Sequence, residues 1–97
     1  MISAKDRESI TRLADRYDVG RLLLFGSSID PSRKARDIDL AVEGLAPEKF
    51  FRFYGDLLFA VSMPVDLVDL SEDTRFNRLV RDEGVVLYGN PEGSGRS

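Results

Sequence analysis

The segment Asp37-Ile38-Asp39-Leu40-Ala41-Val42 constrains the fold most strongly, because its residues alternate with period two. Ile38, Leu40 and Val42 fall on one side and both aspartates on the other. Only a β-strand places residues i, i+2 and i+4 on a common side. The chain therefore contains a sheet, and one strand of it presents an apolar and a polar face.

The flanking segments supply the other elements. Ser3 followed by Asp6 has the pattern of a capping box, and Ile10, Leu13, Ala14 and Tyr17 recur at helical spacing, so an amphipathic helix is predicted to end near Gly20. Leu22-Leu23-Leu24-Phe25, stopped by Gly26-Ser27, reads as a buried strand. Residues 28–36 form a loop with a turn at Asp30-Pro31-Ser32 and three cations, Arg33, Lys34 and Arg36. Pro47 opens a second helix running to Val61, with Phe50, Tyr54, Leu57, Leu58 and Val61 as its core stripe, before the breaker Pro64. Val65 to Leu70 reads as a strand. Ser71 is expected to cap a third helix whose first turn carries Glu72 and Asp73, whose core side is Phe76, Leu79 and Val80, and which Gly84 ends in a left-handed conformation. Val85 to Tyr88 is the last strand. This order predicts an α/β (α+β) layer in which helices flank a small mixed β-sheet.

With 97 residues the chain supports one core, expected over 1–88, followed by a flexible tail over 89–97 rich in Gly, Ser and Pro. Zero cysteines exclude disulfide scaffolds and thiolate zinc sites, and zero histidines exclude serine-histidine triads and histidine-ligated metals. Chemistry is left to carboxylates, hydroxyls and cations. The net charge of -3 argues against bulk binding of nucleic acid. No signal segment or membrane-spanning apolar run is visible, so a cytoplasmic location without membrane attachment is expected.

Asp37 and Asp39 leave one face of their strand about 6.6 Å apart at the backbone. Two such anions repel unless a cation lies between them, and Mg²⁺ with oxygen ligands is the natural one. Asp66 on a neighbouring strand would complete a site for two ions, which suits phosphoryl-type chemistry. Gly26-Ser27, just after a strand, permits close backbone approach to phosphate oxygens.

Taken together, LFGS, a nine-residue spacer, DIDLAV, VDLV and a helix leading to EGVVLYG resemble the minimal nucleotidyltransferases (MNT) of the DNA polymerase β-like superfamily, over residues 22–89. The resemblance implies the nucleotidyltransferase fold. It implies a nucleotide-binding pair at Gly26 and Ser27, and metal-binding and catalytic carboxylates at Asp37, Asp39 and Asp66. The chain departs from the family pattern at Ser28, where an arginine is usual. Arg33, Lys34 and Arg36 would then supply positive charge to a triphosphate.

The activity so implied is transfer of AMP from Mg²⁺-ATP to a hydroxyl of a partner protein. The partner implied is a HEPN-type ribonuclease toxin, to which the chain would be the antitoxin. The alternative is a catalytically weak or inactive antitoxin that neutralises by binding alone. Phe51, Phe53 and Phe59 lie off the core stripe of the 47–61 helix. They predict an exposed aromatic patch for a second copy or the toxin, with Phe53 as anchor.

Overall fold

The computed structural model describes residues 2–30, 32 and 36–89, apart from the Ser27 side chain. Strands β1 (Arg21–Leu24), β2 (Ile38–Glu43), β3 (Val65–Asp69) and β4 (Val85–Gly89) form a sheet in the order β3-β2-β1-β4. β1 runs antiparallel to both β2 and β4, whereas β2 and β3 are parallel. The parallel pair needs a crossover, and α2 (Phe50–Ala60) supplies it. The mixed sheet flanked by helices is the predicted architecture. β4 reaches Gly89, one residue into the expected tail; residues 90–97 lie outside the described ones.

Alternation along the strands divides the core in two. Leu22, Leu24, Ile38, Leu40, Val42, Val65, Leu67 and Leu87 point to the face covered by α1 (Ala4–Arg16) and α2. Leu23 and Ala41 point to the opposite face, where Val80 of α3 (Arg75–Glu83) and Leu70 cover them. Arg81 of α3 and Arg21 of β1 grip the two oxygens of Glu43, at 3.1 and 2.9 Å, and Arg81 also donates to the Leu70 carbonyl. These contacts fasten α3 to the sheet.

Several expectations change at the helices. Ser3 does cap α1 by accepting from the Asp6 amide at 3.1 Å, but the Asp6 carboxylate accepts from Ser62 instead of closing a capping box. α1 stops at Arg16, short of Gly20, because Asp18 adopts a φ of 57°, a left-handed conformation that aspartate tolerates better than most residues.

On α2 the buried residues are Phe53 and Leu57, while Leu58 is half exposed. Phe53 is 0% exposed and its ring lies 5.1 Å from that of Tyr17, so its expected role as a surface anchor is wrong. The reason is that α2 packs against α1 as well as the sheet, which turns Phe53 inward. Phe51 and Phe59, 81% and 93% exposed, are as open as expected.

The N-cap of α3 is Thr74, whose side chain accepts from the Asn77 amide at 3.0 Å; Ser71 lies before the helix, its amide donating to Asp69. Buried Asn77 donates to the Asp69 and Glu72 carbonyls, filling the core side of the first turn that sequence gave to Phe76. Phe76 and Leu79 are half exposed in consequence. Gly84 is extended at φ -69°, not left-handed. A side chain there would meet the Val80 carbonyl oxygen at 2.6 Å, so close approach is what requires the glycine.

Candidate active site

The parallel register sets Asp39 of β2 opposite Asp66 of β3. Paired residues on adjacent strands project from the same face, with backbones about 4.8 Å apart. That face is the one α3 covers, but α3 sits over Ala41 and Leu23 and leaves Asp66 exposed at the margin. Asp37, one residue before β2, is exposed too. Partial burial raises the Asp39 carboxyl above the usual carboxylate range, and the charges of Asp66 and then Asp37 push it the same way. The three aspartates thus share one electrostatic neighbourhood.

A short 3-10 turn, Gly26–Ile29, follows β1 and passes beside these carboxylates. Gly26 has a φ of +64°, and a Cβ on it would stand 2.6 Å from Asp39 Oδ2. Both the backbone conformation and the nearness of the carboxylate disfavour a side chain. Ser27 belongs to the same turn, its side chain lying outside the described residues. Arg33 and Lys34 also lie outside them, and Arg36 is exposed.

Ser28, which in sequence registers only as a departure from the family pattern, is fully buried. Its Oγ accepts from the Asp39 amide at 2.9 Å and donates to the Asp37 carbonyl at 3.4 Å. The Phe25 amide donates to the Asp39 carbonyl at 3.1 Å. The turn thereby fixes the backbone that carries both aspartates. No periodicity announces such a role; a small hydroxyl between a strand and an acidic strand is the only sequence signal. Ser28→Ala is expected to orphan the Asp39 amide and cost about 1–3 kcal/mol, read as a lower midpoint in urea unfolding with unchanged slope.

The donor set consists of carboxylate oxygens under mutual repulsion, which suits a hard divalent cation. Among the described residues, however, no three acidic groups stand close enough to enclose a metal ion. Mg²⁺ commonly takes one or two carboxylates and completes its shell with water and substrate phosphates. The Asp39–Asp66 pair, with Asp37 at its rim, fits that mode.

A nucleotidyltransferase domain is what the sheet order, the Gly26 turn and the paired aspartates define together. The family profile "Polymerase beta, Nucleotidyltransferase" matches residues 8–93, and the chain belongs to that family. Among solved structures it is similar to a chain of a toxin-antitoxin complex with AMP-PNP, at 28% identity and a TM-score of 0.72, covering 89% of this chain and 75% of that one. It is also similar to a chain of the tri-AMPylated Shewanella oneidensis HEPN toxin in complex with MNT antitoxin, at 28% identity and TM-score 0.68, covering 90% and 72%. A chain of the MntA-HepT toxin-antitoxin structure gives 27% identity and TM-score 0.67, covering 90% and 73%. The resemblance to minimal nucleotidyltransferases is borne out. No curated protein matches significantly. No helix among the described residues is long and apolar enough to cross a membrane.

Proposed function

We propose that the chain is an MNT antitoxin that transfers AMP from ATP to a hydroxyl of a HEPN-type toxin protein. The observation that carries this reading is the Asp39–Asp66 register beside the side-chain-free approach at Gly26, in a family member similar to antitoxins from such complexes. Asp39 and Asp66, with Asp37, would hold Mg²⁺, which neutralises phosphate charge and orients the polyphosphate.

The residues of the chain do the rest. Gly26 admits the phosphates close to the backbone, while Ser28 and the Phe25 amide keep Asp39 in place. The acceptor oxygen forms a bond to the α-phosphorus as the bond from that phosphorus to the bridging oxygen breaks. Pyrophosphate leaves, and Asp66, exposed at the sheet margin, accepts the hydroxyl proton. Cytoplasmic residence accords with this role.

One observation favours a second reading, neutralisation by contact alone: Ser28 stands where the family usually has arginine. One experiment separates the two. Incubating the chain with its HEPN-type partner, Mg²⁺ and ATP and weighing both proteins is expected to show AMP increments on the partner. Neutralisation of the partner without any mass increment would establish the contact reading.

A further inference from the structure

An apolar hollow of about 340 Å³ opens directly beside the candidate active site. Phe25, Gly26 and Ile29 form one wall; Phe76, Leu79 and Glu83 of α3 form the other. Two of these residues belong to the site already described: the Phe25 amide bonds to the Asp39 carbonyl, and Gly26 abuts the Asp39 carboxylate. Phe25 and Phe76 meet edge to face with centroids 5.9 Å apart, and Phe76 and Leu79 are half exposed. Among the described residues of the lining, Glu83 is the charged one. By contrast, the hollow between α1 and α2, with Arg12, Arg16 and Phe59 in its walls, includes neither Gly26 nor any of the three aspartates.

We propose that the hollow between the Gly26 turn and α3 receives the nucleobase of the nucleotide, with an amine-bearing purine as the preferred base. This rests on the reading of the site as a nucleotide site. A polyphosphate lying against Gly26 and the aspartates leaves its sugar and base to extend over a neighbouring surface, and this hollow shares Gly26 with the site. Its chemistry suits a base: apolar walls with an aromatic ring for the flat face, and an acceptor-only carboxylate at the edge. Glu83 accepts from an exocyclic amine and repels phosphate, which fixes the orientation with the base toward α3 and the phosphates toward Asp39. The half-exposed Phe76 and Leu79 thereby gain a purpose that packing of α3 does not give them.

The test compares ATP with tripolyphosphate, which has the phosphates but no base, by calorimetric titration in Mg²⁺. Phe76→Ala is expected to weaken ATP about tenfold or more while leaving tripolyphosphate unchanged, as loss of base stacking requires. Glu83→Gln is expected to narrow the preference for ATP over inosine triphosphate. Phe76 is half exposed, so the variant should fold; Leu79→Asn provides a second probe should its melt differ from wild type. Equal binding of ATP and tripolyphosphate by wild type, or an equal loss of both in the Phe76 and Leu79 variants, would overturn the base site and leave the nucleotide reading standing. Unchanged ATP binding with loss of partner association would also overturn it, assigning the hollow to protein docking. Failure of wild type to bind either compound would overturn both readings.

Discussion

Replacing Phe53 by serine is expected to unfold the domain, not to release a partner. The ring is completely buried, packs against Tyr17 and lies in the main core with Leu57, Leu40 and Ile10. Removing a buried phenylalanine side chain costs about 3–5 kcal/mol, and serine adds a hydroxyl to the apolar site that no longer meets water. Domains of this kind have only about 5–15 kcal/mol of total stability. Urea unfolding should show a midpoint near or below the native range. Phe59→Ser, on the exposed side of the same helix, should shift stability by no more than about 0.5 kcal/mol. A Phe53→Ser protein that melts like wild type would contradict this account of the core. On α2 the apolar side chains left open to a second copy or to the toxin are Phe51, Leu58 and Phe59.

The second large effect is expected at Asp39. Asp39→Asn should lower AMP transfer at least about a hundredfold, the scale on which loss of one transition-state charge contact acts. It should at the same time stabilise the metal-free protein at neutral pH. The sign follows from linkage. The folded-state pKa of Asp39 is raised, by burial first and by Asp66 and Asp37 next. Its ionisation therefore opposes folding above the unfolded-state pKa. The cost is absent below that value, grows as pH rises toward the raised folded value, and is constant above it. The melting temperature of Asp39→Asn should exceed that of wild type at pH 7, and the gap should close as pH falls through the acid range. Saturating Mg²⁺ and ATP should narrow the gap at pH 7, because only wild type gains from binding. A metal-free Asp39→Asn protein less stable than wild type at pH 7 would show the carboxylate to be structural.

Much of this was legible in the chain for definite physical reasons. Strict alternation in residues 37–42 specifies a face, so the placement of Asp39 away from Leu40 followed from period two alone. That Asp66 lies beside it depends on the parallel register of β2 and β3, which no local pattern encodes; the family resemblance supplied it. The burial of Phe53 is not legible in sequence because α2 is apolar on nearly every side, and a helix of that kind has no unique stripe until its neighbours are known. The cap of α3 is ambiguous in sequence for a similar reason: Ser71 and Thr74 are both competent hydroxyls, and the burial of Asn77 against the Asp69 and Glu72 carbonyls selects Thr74. Ser28 escaped notice because its hydrogen bonds to residues 37 and 39 join positions about ten apart across a loop.

The contact between Gly26 and Asp39 bears on how such domains drift once selection on catalysis is relaxed. An alanine at position 26 would displace the carboxylate oxygen itself, 2.6 Å from the added carbon, so the first injury would fall on the chemistry and not on the core. In a lineage where position 39 has already become alanine or serine, the steric half of that constraint disappears. The backbone half, a φ of +64°, remains and disfavours a side chain by about 1–2 kcal/mol. The turn therefore favours glycine at 26 even where the carboxylate at 39 is lost. Position 39 is therefore more informative than position 26: the turn alone accounts for a glycine at 26, whereas nothing in the turn requires an aspartate at 39.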